Sequence, residues 1–134
     1  MRSLRTAICA LACLPGLSVA QVVIVNAQNG AALNKEQVEQ LFTGKMASFP
    51  GGGAAALVDN AALRENFYKS AAGKTGDQAR AHWAKLEFTG KGKAPTELAN
   101  GKAVADFVAK NPGGIGYVDK GDVGAGVKSV LTLQ

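Results

Sequence analysis

Few side chains in this sequence are of types that do chemistry, and their spacing favours anion binding. Arg64 lies close to the start of a predicted helix that opens at Asn60. There the helix dipole favours negative charge, unpaired backbone N–H groups can donate hydrogen bonds, and a guanidinium offers a fork of donors. Gly113 and Gly114 follow another predicted helix, and glycines let backbone N–H groups approach a ligand closely. Together these residues predict a site for a small oxyanion.

Both features also have a purely structural interpretation. Arg64 can form a salt bridge with Asp59 or lie in solvent. The glycines of the stretch NPGGIGYVD, residues 111–119, can simply connect a helix to a buried strand, because Pro112 disfavours helix at the residue before it. On the local sequence alone, we favour the structural interpretation of both features.

No pattern of an enzyme is visible. His82 is the only histidine of the chain, and no serine or carboxylate stands in a recognisable partner motif, so we interpret it as structural. The run Gly73-Lys74-Thr75 lacks the earlier glycine that a phosphate-binding loop needs, because Tyr68 stands at that position. We therefore expect a protein that is not an enzyme and that has no metal site and no cofactor.

The first 20 residues have the pattern of a cleaved export signal. Arg2 and Arg5 form a basic start, residues 7–14 are apolar, and a small-x-small cleavage pattern ends at Ala20. We predict cleavage after Ala20 and a location in the periplasm. Lipidation of Cys13 is the less favoured alternative, because cleavage before it would leave a very short apolar core.

Composition bounds what the mature chain can be. Cleavage removes 20 of the 134 residues and leaves 114, residues 21–134, which is enough for one domain with a single core. Both cysteines, Cys9 and Cys13, lie in the signal, which excludes a disulfide framework or a thiol nucleophile. Loss of Arg2 and Arg5 lowers the formal net charge from +5 to +3, and no dense basic run remains, so nucleic acid is not an expected partner. No later apolar run approaches the roughly 20 residues of a spanning helix, so we expect no membrane insertion of the mature chain.

Strand and helix patterns alternate along the chain. The predicted strands are residues 21–26, 54–58, 115–118 and 127–133, and the predicted helices are capped or begin at Asn34, Asn60, Gly76 and Asn100. Asn34 with Gln37, and Thr75 with Gln78, have the spacing of capping boxes. Residues 22–25 and 115–118 are apolar throughout, so we expect them in one sheet that is covered on both faces. A hairpin is predicted over residues 119–126.

Several segments resemble one known family. In chain order, VVIVN, LNKEQVEQLFTGK, LRENFYKSAAGKT, HWAKLEFTGKGKAP and VADFVAKNPGGIGYVD are similar to the short, exported phosphate ABC-transporter substrate-binding-protein-like family. The similarity spans residues 22–130, and its most specific parts are LFTGK and NPGGIGYVD. The resemblance implies a type 2 periplasmic-binding-protein-like fold: a compact single α/β domain with a mixed β-sheet flanked by about four helices. It also implies a periplasmic module that binds a small anion, usually phosphate.

The expected ligand-binding residues are Asn60, Ala61, Ala62, Arg64, Gly113 and Gly114. Relatives commonly carry a serine or threonine at the start of the helix that contains LRENF, whereas this chain lacks that hydroxyl because Ala61 and Ala62 stand there. The chain is also short for a protein that closes two lobes over its ligand. A half-site open to water binds weakly, because charge-assisted hydrogen bonds lose strength in a high dielectric. Dimerisation or a protein partner could supply the other wall.

Two functions from different classes are therefore in competition. The first is a solute-binding module for a small anion such as phosphate, working with an ABC permease. The second is an exported accessory protein that binds a periplasmic protein and keeps the fold without a ligand, which Ala61 and Ala62 favour. Calorimetry with phosphate distinguishes the two.

Overall fold

The computed structural model describes residues 21–133 as one α/β unit. The predicted export signal, residues 1–20 with its cleavage site after Ala20, lies outside the described residues, as does Gln134. The elements in chain order are β1 (Gln21–Asn26), α1 (Lys35–Phe42), β2 (Ala56–Asn60), α2 (Arg64–Ala72), α3 (Gly76–Phe88), β3 (Thr96–Leu98), α4 (Gly101–Lys110), β4 (Gly114–Asp119) and β5 (Val127–Leu133). A single 3₁₀ turn, Lys120–Asp122, follows β4. Within residues 21–133 no helix has the length and apolar character to cross a membrane.

The five strands form one mixed sheet in the order β3-β2-β4-β1-β5. β2 runs parallel to β3 and β4, whereas β1 runs antiparallel to its two neighbours, β4 and β5. The prediction that the two apolar strands lie in one sheet is confirmed, and they also pair directly, with Val22 opposite Val118 and Ile24 opposite Gly116. Every residue of β1 is buried. The expectation of a mixed sheet flanked by four helices is confirmed.

Two hydrophobic cores lie on the two faces of this sheet. Successive side chains of β1 alternate between them, so that Val23 and Val25 join one core while Val22 and Ile24 join the other. The first core contains buried side chains of α1, α2 and α3. The second contains buried side chains of α4. The molecule is therefore a three-layer arrangement with the sheet in the middle.

The two predicted capping boxes are confirmed. The Asn34 side chain accepts the N–H of Gln37 at 2.8 Å, and the Gln37 side chain accepts the N–H of Asn34 at 3.0 Å. Thr75 and Gln78 make the same reciprocal pair at the start of α3, at 3.1 and 2.9 Å. Each box satisfies two N–H groups with partners three residues apart, so the local sequence is enough to fix these helix starts.

The start of α2 differs from the prediction. β2 continues to Asn60, and the helix begins at Arg64 with Leu63 as its N-cap. The Asn60 side-chain amide donates to the Tyr117 carbonyl oxygen at 3.1 Å, which holds Asn60 in the sheet. The expectation of a helix that opens at Asn60 is wrong, because Asn60 is the last residue of the strand and its side-chain oxygen closes only a turn, by accepting the Ala62 N–H.

Two further features differ from the sequence pattern. Strand β3 is absent from the predicted strands, since three residues of mixed polarity carry no strand periodicity. The predicted hairpin over residues 119–126 is also wrong. β4 and β5 do not pair with each other, because β1 lies between them and pairs with both.

Four aromatic rings occupy the centre of the first core. Phe67 of α2 stacks on Tyr117 of β4, with ring centroids 3.7 Å apart and an interplanar angle of 1°. Phe42 and Tyr68 meet the Phe67 ring edge-on, at 4.9 and 5.3 Å. All four side chains are almost completely buried. Phe67 therefore joins two helices to the sheet.

Substitution of Phe67 by alanine should lower the free energy of unfolding by about 3–5 kcal/mol, because it removes a buried ring and leaves a cavity. Phe88→Ala is the matched control, since it deletes the same atoms from a side chain that is 92% exposed. The control should change the free energy of unfolding by no more than about 0.5 kcal/mol. Urea denaturation measures both, and equal losses would show that Phe67 does not have the packing described.

Candidate functional site

Charged side chains meet at the carboxyl end of β2. Asp59 lies near the end of that strand, and Arg64 opens the helix that follows. In the parallel pairing of β2 with β3, Asp59 stands beside Glu97. Neighbours in register point to the same face of a sheet, so the carboxylates of Asp59 and Glu97 lie side by side. The guanidinium of Arg64 contacts the Glu97 carboxylate. We call Asp59, Arg64 and Glu97 the Arg64 corner.

Asp59 is the buried member of the Arg64 corner. Its Oδ1 atom accepts hydrogen bonds from the hydroxyls of Tyr68 and Tyr117, each at 3.0 Å. Burial raises the pKa of Asp59 above its ordinary value of 3.8, although the hydrogen bonds from Tyr117 and Tyr68 and the charge of Arg64 oppose that rise. Burial, and then the charge of Asp59, raise the pKa of both tyrosines, which therefore remain neutral donors.

Arg64 is the cation of the corner. Its Nη1 atom donates to Oε2 of Glu97 at 2.6 Å. The two side chains are 20% and 43% exposed, so water screens the ion pair, and exposed pairs typically contribute about 0–1 kcal/mol. The Nε atom of Arg64 is buried without a hydrogen-bond partner among the described residues. An unpaired buried donor costs about 1–3 kcal/mol, so an acceptor at Nε would stabilise this arginine.

Backbone N–H groups ahead of α2 are already engaged. The N–H of Ala61 donates to the Leu98 carbonyl oxygen at 2.8 Å. Those of Ala62 and Leu63 donate to the side chain and the carbonyl oxygen of Asn60, both at 3.0 Å. The helix itself has no side-chain cap, so its own first N–H groups are the ones that lack intrahelical partners. The donors at this helix start therefore lie one turn later than the sequence predicts.

Gly113 and Gly114 lie near the opposite end of the sheet. Gly114 pairs with Ala56, the first residue of β2, whereas Arg64 follows the last residue of that strand. The full length of β2, at about 3.3 Å per residue, therefore separates Gly114 from Arg64. The Gly113 carbonyl oxygen accepts the Ala56 N–H at 2.8 Å. A Cβ atom on Gly113 would lie 2.7 Å from the Ala54 carbonyl oxygen. The glycines thus allow close packing of this turn on β2, and the structure does not bring them together with the Arg64 corner.

A surface pocket of about 230 Å³ opens beside the Arg64 corner. All three residues of the corner line it, and α3 adds Arg80 and Glu87. Much of the remaining wall is apolar and comes from Tyr68, Ala79, Trp83, Ala84, Ala94 and Pro95. The pocket therefore combines charged groups of both signs with an apolar surface.

Of the residues that line this pocket, the sequence predicted only Arg64 as a site residue, and it missed the charged residues Arg80, Glu87 and Glu97. Arg80 and Glu87 are seven positions apart on α3, which places them on one helix face two turns apart. That spacing is a signal that the sequence contains. Glu97 offers none, because it lies in the three-residue strand β3, and only the pairing of that strand with β2 brings it to Arg64.

His82 contacts the backbone at the end of α1, which agrees with its structural interpretation. Its Nε2 atom lies 2.7 Å from the Thr43 carbonyl oxygen, within hydrogen-bond distance. This contact ties α3 to the end of α1. Over residues 21–133, no group of three or more histidine, cysteine, aspartate or glutamate side chains is placed to hold a metal ion.

Several solved structures share this arrangement of strands and helices. An ABC-type phosphate transport receptor from Vibrio cholerae matches with a TM-score of 0.53 at 16% sequence identity. A putative phosphate ABC transporter substrate-binding protein with bound phosphate, from Clostridium perfringens, matches with a TM-score of 0.55 at 16% identity. PstS from Borrelia burgdorferi matches with a TM-score of 0.57 at 11% identity. The chain therefore shares its fold with a part of each of these proteins.

This likeness confirms the expected resemblance at the level of the fold. Each match covers 84% of this chain but only 46%, 45% and 46%, respectively, of the solved structures, so the chain spans less than half of their length. No family model matches the chain, and no curated protein matches it significantly. The periplasmic-binding-protein-like fold is shared, and at identities of 11–16% this likeness identifies no site residues.

The raised pKa of Asp59 predicts a pH-dependent stability. Between the ordinary pKa of 3.8 and the higher pKa in the folded protein, the folded state binds more protons than the unfolded state. The contribution of Asp59 to the free energy of unfolding therefore falls as the pH rises through this window. Asp59→Asn removes that contribution, so the stability of the variant relative to wild type should increase with pH across the window.

Urea denaturation from about pH 4 to about pH 8 measures this difference. Asp106→Asn is the matched control, because it makes the same chemical change at an exposed position of α4. A constant difference between Asp59→Asn and wild type at every pH would contradict the assignment.

Proposed function

We propose that this chain is a solute-binding module that binds a small oxyanion at the Arg64 corner, with phosphate as the first candidate. The observation that carries the proposal is Arg64 itself. Its guanidinium stands at a helix start with no side-chain cap, and its buried Nε–H has no acceptor within residues 21–133. The oxygens of an oxyanion match the planar fork of an arginine. The positive end of the helix dipole adds a further attraction for negative charge.

Ligand binding requires an exchange of partners at Arg64. Glu97 holds the guanidinium in the structure described here. Because that ion pair is partly exposed, the guanidinium can turn to another acceptor at small cost. An oxyanion in the pocket replaces the Glu97 carboxylate and presents further oxygens, one of which can serve Nε.

The affinity should be modest. Ala61 and Ala62 offer no hydroxyl, and their backbone N–H groups are engaged with Leu98 and Asn60. In this proposal Asn60 shapes the turn before α2, and Gly113 and Gly114 support the sheet without donating to the ligand. Because the pocket lies open at the surface, a second copy or a partner protein, such as an ABC permease, is proposed to complete it.

Phe88 favours a second candidate function. Its side chain is 92% exposed at the end of α3, and exposed aromatic side chains are enriched where proteins contact each other. The alternative is a periplasmic accessory protein that keeps the fold and binds a protein partner without a small ligand.

Titration of phosphate and sulfate by calorimetry at low salt tests the proposal. Arg64→Ala should weaken phosphate binding about ten- to a hundredfold, as expected for loss of a hydrogen bond to a charged group. Glu97→Gln should strengthen it, because a neutral amide competes less well for the guanidinium than a carboxylate and places no negative charge beside the ligand. Lys102→Ala, which removes a positive charge from an exposed position of α4, should leave the affinity unchanged.

Circular dichroism establishes that each variant is folded. Absence of binding to the wild-type protein would favour the accessory protein. Equal binding by wild type and Arg64→Ala would place the site elsewhere. An equal loss in Lys102→Ala and Arg64→Ala would show a general effect of net charge.

We also propose export with cleavage after Ala20, which the pattern of residues 1–20 supports. The intact mass of protein from the periplasmic fraction should correspond to a chain that begins at Gln21. A mass that retains residues 1–20, or that includes a lipid on Cys13, would contradict this.

A further inference from the structure

The pocket beside the Arg64 corner is larger than a bare oxyanion needs. Its volume of about 230 Å³ is several times the roughly 30 Å³ that one water molecule occupies in the liquid. It is also below the range of roughly 300–1,000 Å³ that is typical of sites for drug-sized ligands. The size therefore fits a small organic molecule.

The charges around the pocket do not suit an anion alone. At the Arg64 corner one guanidinium faces two carboxylates, those of Asp59 and Glu97. Arg80 and Glu87, on the α3 side, add one charge of each sign. An oxyanion that displaces Glu97 from Arg64 leaves that carboxylate without its cation and next to a second negative charge. A ligand that also carries a cationic group would satisfy the displaced carboxylate.

Part of the wall between these charged groups is apolar. The indole N–H of Trp83 donates to the Phe42 carbonyl oxygen at 3.0 Å, so this group is already satisfied inside the protein. The Tyr68 hydroxyl is likewise engaged with Asp59. With their polar atoms occupied, these two side chains offer apolar ring surface to the pocket, and Pro95 adds to it. Such a wall suits a short carbon chain.

We infer that the pocket takes a small zwitterion in which an oxyanion and an ammonium group are joined by a short carbon chain. The inference rests on the proposed function, because the oxyanion is placed on Arg64. Binding exchanges the ion pair between Arg64 and Glu97 for two new pairs, oxyanion with guanidinium and ammonium with carboxylate. Both Arg64 and Glu97 then have a partner of opposite charge, which is the difference from bare phosphate.

The test compares two probes that differ in one group. 2-Aminoethylphosphonate carries both the oxyanion and the ammonium, and ethylphosphonate lacks the ammonium. Both are titrated, together with inorganic phosphate, into the purified wild-type protein and into Glu97→Gln, Arg64→Ala and Lys102→Ala. Trp83 is the only tryptophan of the chain and lines the pocket, so its fluorescence reports binding there.

Wild type should bind 2-aminoethylphosphonate about ten- to a hundredfold more tightly than ethylphosphonate, the range expected for one additional hydrogen bond between charged groups. Glu97→Gln should remove this preference. The substitution should lower the affinity for 2-aminoethylphosphonate and raise the affinities for ethylphosphonate and phosphate. Arg64→Ala should weaken all three ligands, and Lys102→Ala none.

The outcomes separate the inference from the function on which it rests. If phosphate binds through Arg64 but wild type shows equal affinities for the two phosphonates, the inference is overturned and the oxyanion site stands. If the preference exists but persists in Glu97→Gln, the assignment of the ammonium to Glu97 is overturned. If none of the three ligands binds to wild type, both the proposed function and the inference fail.

Discussion

The hydrogen bonds to the buried carboxylate of Asp59 fix the arrangement of the site. One oxygen of this side chain accepts the hydroxyls of Tyr68 from α2 and Tyr117 from β4. A carboxylate at this depth is costly unless it has donors, so the helix and the two strands must keep their relative positions. Arg64 lies one helical turn before Tyr68, and the same contact therefore sets the position of the guanidinium. The stacked ring of Phe67 reinforces this joint from within the core.

The mixed sheet explains why polar residues collect at this edge. β2 and β3 are parallel, so their carboxyl ends meet at one edge, where α2 begins. In open α/β sheets this edge is the usual place for a ligand, because helix starts and loops converge there. The antiparallel strand β1 lies between β4 and β5 and is buried throughout. The buried strand β1 thus contributes to the hydrophobic cores, whereas the carboxyl ends of β2 and β3 carry the charged side chains of the Arg64 corner.

The electrostatics of the pocket differ from those of the whole chain. The sequence carries a formal net charge of +5, which suggests a protein attractive to anions in general. Locally, however, the Arg64 corner has more carboxylates than cations. In the proposed binding mode, the favoured ligand is the one that gives each charged side chain a partner of opposite sign, because a buried charge without a partner is costly. The local distribution of charge is therefore the basis of the proposed ligand chemistry, and the net charge of the chain is not.

The sequence by itself determined what depends on neighbours in the chain. The capping boxes at Asn34 and Thr75 fixed two helix starts, and the continuous apolar pattern of residues 22–25 and 115–118 identified two strands of one sheet. The family resemblance, carried by short motifs, predicted the fold. The presence of Arg64 near a helix start was also visible.

Only the tertiary structure decided what depends on residues far apart in the chain. The amide of Asn60 bonds to the Tyr117 carbonyl oxygen, which moved the start of α2 by about one turn. The pairing of β3 with β2 brought Glu97 to Arg64, and the register of β2 with β4 placed Gly114 at the other end of the strand. Local patterns encode hydrogen bonds within a few residues, whereas these contacts arise when strands distant in sequence pair. The helices and most strands could therefore be predicted, and the composition of the pocket could not.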